Sequence, residues 1–495
     1  MYSCCYFTLA LNIFAPLIIL MKIFLFLFGI LFIAKDVSSQ YRVTLQTPGY
    51  KSGQAYLTYY YGKNLSVQDS ALMNYKGIAV FQKKTKLLPG IYSIVFPGKN
   101  KSVDFFVDKE QIISIKADTA DLLNKTIVTG SKENILFQQY QKYIALKGKQ
   151  LQGEQQAYNT SKIRSDSALH ENNYKKLNKD LNQYRENIIK QFPQSMLAVL
   201  FKSMREPQAI IDHPVTKNDS IANYEYFKKH YWDGITFMDD RVIRTPFFLP
   251  KVERYFREII VQSPDTIIKE ADYLLLLART NTEMYKFLLN WLTDEYIYPK
   301  YMGQDAVFVN LFEKYHSKGV SNWLNEKQMT AITNRAYMVM SNLIGEKAAD
   351  LDMVDSTGKT YHLYDVVSAY TIVVFWDPTC GHCREEVPRL DSFYQAKWKQ
   401  QGVKVYGVLS ENEKTKWLQF IKENNLKDWI HVYQTEETKK TIAEAKQPGY
   451  KQLYDITQTP TLYLLDNEKR IIAKKLTLQQ MDELLQTKIK NKTAN

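Results

Sequence analysis

Three regimes of hydrophobic and polar patterning follow one another along the chain. From residue 41 to about 130, short alternating or aromatic runs recur between turn signals: Ala55–Tyr61, Gly77–Phe81, Gly90–Phe96, Val103–Val107, Ile112–Ile115 and Thr126–Val128. Period-two alternation punctuated this closely predicts an antiparallel β-sandwich or small barrel. From about 131 to 342 the apolar positions fall at helical spacing. Gln138–Gln191 is polar and rich in Lys, Gln and Asn, with sparse apolar sites. Phe192–Gln208 reads as an apolar helix opened by Pro193 and stopped near Pro207. Glu270–Thr280 and Met284–Tyr296 read as a packed helical pair, with Leu274–Leu277 as core.

From residue 343 the pattern becomes βαβ. Thr371–Trp376 is a buried strand, Arg384–Gln400 a helix, Val403–Leu409 a strand, Lys414–Asn424 a helix and Trp429–Tyr433 a strand. Thr461–Leu465 and Ile471–Lys474 form a hairpin across Asp466-Asn467, and Leu478–Lys490 closes the chain. The expected organisation is therefore multidomain: a β-sandwich over 40–130, an α-helical domain over 131–342, and an α/β domain over 343–495. A chain of 495 residues needs such a division, because single cores rarely grow so large.

The N-terminus changes the picture by placing the protein in a compartment. Met21-Lys22 precedes an apolar run, Ile23–Ala34, followed by small residues at Val37 and Ser39. This fits a signal peptide over 1–39 with its start at Met21 and cleavage before Gln40. The run is short for a membrane span, although an uncleaved anchor from Tyr6 to Ala34 is the alternative. Export implies a periplasmic or cell-envelope location, where disulfides persist. Of four cysteines, Cys4 and Cys5 would leave with the signal peptide, so only Cys380 and Cys383 remain. The net charge of +13 is scattered in small clusters and reads as a solvated basic surface. Nucleic acid is not an expected partner outside the cell.

Two cysteines in one CxxC, in an oxidising compartment, are what a catalytic pair requires. Cys380 falls at a strand-to-helix junction, where free N–H groups and the helix dipole favour a thiolate. Cys383, one turn later, can then resolve a mixed disulfide. His382 between them favours the thiolate and a more oxidising couple when protonated, while Glu385 and Glu386 oppose it if they face the site. Pro460 precedes the strand Thr461–Leu465, where a cis-proline would present a backbone edge opposite the thiols. No cofactor is implied, since the dithiol itself carries the electrons. Zinc would need four ligands, and there is neither a second CxxC nor a paired-histidine motif; His362 and His431 read as surface or packing residues. Asp239-Asp240 beside Arg241 and Arg244 reads as a helix cap or ion pair rather than a catalytic group.

These residues resemble the thioredoxin superfamily, and within it the exported TlpA-like thiol-disulfide oxidoreductases. The resemblance rests on Phe375-Trp376 ahead of the first cysteine, Cys380-Gly381-His382-Cys383, the helix-kinking Pro388, and Thr459-Pro460 at the cis-proline position. Asp352–Val366 is similar to the opening hairpin of that family. The β-rich start and Lys228–Phe248 resemble domains of unknown function found ahead of thioredoxin modules in exported Bacteroidetes proteins. The resemblance implies a thioredoxin fold for the last domain and Cys380 as nucleophile with Cys383 resolving. It implies tuning or docking roles for His382, Trp376, Gly381, Thr459 and Pro460. It also implies thiol- or disulfide-containing envelope proteins as substrates and a membrane-borne electron donor.

There are departures. Val374 stands where many cytosolic thioredoxins carry a buried Asp, leaving Glu444 as a candidate substitute. Thr379 directly precedes Cys380, unlike the spacing of the superfamily's thiol peroxidases. His382 inclines the couple toward oxidation or isomerisation, and the TlpA-like resemblance toward reduction. The competing reading is an envelope scaffold or ligand-binding protein whose thioredoxin-like domain is accessory or redox-inactive.

Overall fold

The computed structural model describes residues 41–411 and 413–493, so the signal-peptide segment and Met21 lie outside the described residues. The chain folds as two compact units, the first ending at Ile259 and the second beginning at Ile260.

In the first unit, eight strands form two four-stranded sheets. One has the order β4 (Ile78–Lys83), β1 (Tyr41–Gln46), β7 (Ile112–Lys116), β8 (Ile127–Thr129). The other has the order β3 (Asn64–Leu72), β2 (Gln54–Tyr61), β5 (Gly90–Val95), β6 (Ser102–Val107). Neighbours pair antiparallel except β1 with β7, which run parallel. Alternate residues Tyr41, Val43 and Leu45 of β1 meet Leu57, Ile94 and Phe105 of the other sheet in one shared core, which makes the pair of sheets a sandwich.

Ser131 then caps the long helix Lys132–Thr160 by accepting from the Asn134 N–H. Asn134 is fully buried, and its side chain takes the place of a neighbouring strand. It accepts from Phe106 N at 2.7 Å and donates to Phe106 O at 2.7 Å, on the outer edge of β6. The helices Lys132–Thr160 and Arg164–Gln191 are polar along most of their length. Their few buried residues, Phe137, Tyr140, Leu181, Ile188 and Ile189, gather around the apolar helix Met196–Ser203. Asp239 caps the short turn Asp240–Arg244 and pairs with Arg241 at 2.7 Å, while Asp240 pairs with buried Arg244 at 2.6 Å. These are the structural roles expected for that acidic pair.

The second unit joins a helical group to a mixed sheet. Helices Pro264–Ala278, Thr282–Tyr296, Asp305–Leu311 and Glu326–Met340 precede a seven-stranded sheet. Its order is β10 (Thr360–His362), β9 (Asp352–Val354), β13 (Ile430–Tyr433), β12 (Val403–Leu409), β11 (Tyr370–Trp376), β14 (Thr461–Leu465), β15 (Ile471–Lys474). The opening hairpin forms as β9 and β10, and the closing one as β14 and β15. Each face of the sheet carries its own core.

Buried polar bonds fasten the helical group to the sheet. Arg335 pairs with Asp455 at 2.6 Å, and Lys474 pairs with Asp305 while donating to Asn342 O at 2.6 Å and Asn342 Oδ1 at 2.7 Å. The boundary between compact units thus falls inside the 131–342 helical stretch, because its last helices share buried ion pairs with the sheet that follows. Among the described residues, no helix is long and apolar enough to cross a membrane.

Candidate active site: a dithiol at the end of the central strand

The strand β11 is buried at all seven positions, the signature of a strand covered on both faces. It runs parallel to β12 and antiparallel to β14. Phe375 faces one core, stacked on Tyr450 at 5.8 Å, and Trp376 faces the other, against Phe420 at 5.3 Å. Trp376 owes its seat partly to Gly407. In register, Val374 lies beside Gly407, which lies beside His431. A Cβ on Gly407 would stand 3.3 Å from His431 Nδ1 and 3.4 Å from Trp376 Nε1.

Beyond Trp376 the chain turns through Asp377-Pro378-Thr379, and helix Gly381–Phe393 starts with Cys380 at its N-cap. That puts Cys380 among the free N–H groups of a helix start. Cys380 is partly exposed and Cys383 fully buried; both are free thiols. The Cys380 thiol donates to Thr459 O at 3.3 Å, and the Thr459–Pro460 peptide is cis. Cys380, Cys383 and the proline edge therefore meet at one end of the sheet.

Burial pushes the Cys380 thiol up, but hydrogen bonding with the Thr459 side chain, with Cys383 and with the His382 backbone N–H outweighs it and holds the thiol below its usual range. Burial pushes Cys383 up to about 12, against a weaker opposing hydrogen bond from the Asp377 backbone. The two sulfurs are thus divided into a reactive thiol and a protected one, the division a nucleophile and a resolving group require. His382 is exposed, and its contribution to Cys380 comes through its backbone N–H. Gly381 is exposed with open space where a Cβ would project.

Glu444 does not replace the carboxylate missing at Val374. It sits at the end of helix Glu436–Glu444, exposed and paired with Lys440 at 3.8 Å. A buried carboxylate does lie close to the dithiol, that of Asp377, which the sequence reading passed over. It is buried, its backbone N–H donates to Cys383 Sγ at 3.4 Å, and its carboxylate accepts from Thr379 N at 2.6 Å and from the Thr379 hydroxyl. The Asp-Pro-Thr turn sequence was the available signal, since Asp side chains commonly bond backbone two residues ahead. His431 Nε2 donates to Leu426 O at 2.7 Å, and the ring stacks on Trp429, a packing role.

The AhpC/TSA family matches residues 344–474. Two domains of unknown function match upstream, DUF5106 over 170–342 and DUF4369 over 41–137. Among solved structures, the chain is similar to a domain of a possible thiol-disulfide isomerase from Cytophaga hutchinsonii, 35% identical over 31% of this chain and 97% of that one, with a TM-score of 0.27. It is similar to a thioredoxin-like protein from Bacteroides caccae, 23% identical over 57% of this chain and 98% of that one, with a TM-score of 0.44. It is also similar to the thioredoxin domain of a thiol-disulfide oxidoreductase from Bacteroides vulgatus, 27% identical over 30% of this chain and 97% of that one, with a TM-score of 0.26. No curated protein matches the chain. The chain thus carries a C-terminal α/β module of the AhpC/TSA family, thioredoxin-like in fold, behind two domains of unknown function.

Proposed function

We propose that the protein is an exported oxidoreductase that exchanges disulfides with proteins of the cell envelope through Cys380 and Cys383. The observation that carries this reading is the division between the two sulfurs: a partly exposed thiol at a helix start, held low, and a buried thiol pushed up to about 12. In the reducing direction, the Cys380 thiolate attacks a substrate disulfide. A mixed disulfide forms and one substrate sulfur leaves as thiolate. Cys383 then gives up its proton and attacks Cys380 Sγ, releasing the second substrate sulfur. Two electrons pass to the substrate, and a membrane-borne thiol reductant restores the dithiol. The Thr459–Pro460 edge supports docking of an extended substrate segment, because it lies against Cys380.

The test is a Cys383→Ser variant expressed with its export signal. It should accumulate covalent adducts with envelope proteins through Cys380, released by dithiothreitol. If no adduct forms in cells and the unmodified protein fails to reduce insulin, the reading is wrong. A redox titration sets the direction: values near about −180 mV resemble isomerases and values near about −270 mV resemble thioredoxin.

A further inference from the structure

The turn between the central strand and the dithiol helix is held through one residue, Asp377. Cys380 N donates to Asp377 O at 3.2 Å, Asp377 N donates to Cys383 Sγ at 3.4 Å, and the Asp377 carboxylate accepts from Thr379 N at 2.6 Å and from the Thr379 hydroxyl. Both cysteines are therefore bonded to Asp377. Its second carboxylate oxygen, Oδ2, is buried and finds no partner among the described residues. A carboxylate oxygen lies within about 5 Å of its own backbone nitrogen, so the charge lies within about 8 Å of Cys383 Sγ. At the end of the neighbouring strand, Ser410 N donates to Trp376 O at 2.9 Å, and the buried Ser410 Oγ is also without a partner among the described residues. Other ionisable groups at this end of the sheet include Tyr450, whose hydroxyl donates to Ser410 O at 3.3 Å, the exposed pair Lys451–Glu411, and on the dithiol helix the exposed His382, Arg384 and Glu385 and the Arg389-paired Glu386.

We propose that Asp377 is the positioning residue that sets the direction of electron flow: its carboxylate locks the turn around both sulfurs, and its buried charge disfavours the Cys380 thiolate and makes the couple more reducing. This rests on the dithiol reading above. The physical argument is short. A carboxylate close to a thiolate repels it, and the repulsion grows in a water-poor setting. A less stable thiolate means a less stable reduced form and a stronger reductant. Asp377 thus opposes the influence expected of a protonated His382. It is the buried member of the two, whereas His382 is exposed.

The experiment compares the unmodified protein with Asp377→Asn, Asp377→Ser and Asp377→Ala. Asn and Ser keep an oxygen that can accept from Thr379 but lose the charge, and Ala loses both. Two quantities are read: the pH midpoint of Cys380 alkylation by iodoacetamide, and the equilibrium of Cys380–Cys383 with a glutathione buffer. All three variants should show a Cys380 midpoint lower by on the order of one pH unit. Their couple should become more oxidising by about tenfold in the exchange constant, which is about 30 mV. If Asn and Ser match the unmodified protein and only Ala differs, the carboxylate is a structural cap and the proposal falls. If Asn does not fold, Ser carries the same test. The alkylation arm needs no substrate, so a protein with no envelope partners would sink the proposed function while this inference is still read.

Discussion

Arg335 Nη1 lies 2.6 Å from Asp455 Oδ1, joining helix Glu326–Met340 to the segment that leads into Thr459–Pro460. Both partners are buried, and Lys475 bonds the other Asp455 oxygen at 2.5 Å. Burial raises the Asp455 carboxyl, yet Lys475 and Arg335 hold it below its usual range. Arg335→Met should cost about 2 kcal/mol, less than loss of an isolated buried pair because Lys475 remains. Adding Asp455→Asn should recover part of the loss. Tryptophan fluorescence during urea unfolding checks this, since six of the seven tryptophans lie after Ile260. Equal midpoints for Arg335→Met and the unmodified chain would count against a contribution from this pair.

The division between the two sulfurs has a direct chemical readout. With iodoacetamide at neutral pH, Cys380 should be modified at least about 100-fold faster than Cys383, by mass spectrometry of the digested protein. In denaturant the two rates should converge, since burial is what protects Cys383. Comparable rates in the folded protein would contradict the assignment of nucleophile and resolving thiol.

His316 gives the second unit a dependence on acid. It is buried between Thr293 Oγ1 at 2.8 Å and Ser321 Oγ at 2.8 Å, and burial pushes its pKa down to about 4. The unfolded chain takes up that proton near 6.5, whereas the folded chain does not until about 4. Its contribution is therefore complete above pH 6.5 and lost progressively as pH falls to 4, up to about 3 kcal/mol in all. His316→Gln should flatten that portion of the stability curve while lowering its plateau. Parallel curves for the two proteins between pH 7 and pH 4 would show that His316 does not titrate this way.

Gly407→Val should overpack the row beside the active-site tryptophan. A Cβ there already meets His431 Nδ1 and Trp429 Cε3 at 3.3 Å and Trp376 Nε1 at 3.4 Å, and two more methyl carbons have no room. The expected cost is about 1–3 kcal/mol, with a shifted Trp376 indole resonance in the NMR spectrum. An unchanged resonance at unchanged stability would mean that the indole is not held by this contact.

What was legible in the sequence was local. Trp376, Cys380, Cys383 and Thr459-Pro460 announce themselves through fixed spacing around a strand end, and the structure gathers them at one end of β11. Strands such as β1 follow period-two alternation, whereas β11 and β14 are continuous apolar runs buried on both faces. Asp377 escaped because its inward turn depends on bonds to Thr379 and Cys383 that no periodicity encodes. Glu444 misled because nothing local in the sequence says which way its helix faces, and that helix places it on the solvent side. Arg335 and Asp455 are separated by 120 residues, so the joining of the last helices to the sheet was invisible to a reading of neighbours. The break at Ile259 escaped for the same reason, since helical spacing continues on both sides of it.

The Asn134 side chain also bears on how copies of this protein behave toward each other. An outermost strand with free N–H and C=O groups is a template for any extended segment it meets. By occupying both groups of Phe106, Asn134 closes the rung near the C-terminal end of the β6 edge to an incoming strand. A foreign segment pairing there would first have to displace a buried amide at the start of a 29-residue helix. The first turn of that helix thus acts as a guard against strand addition and the aggregation that follows from it.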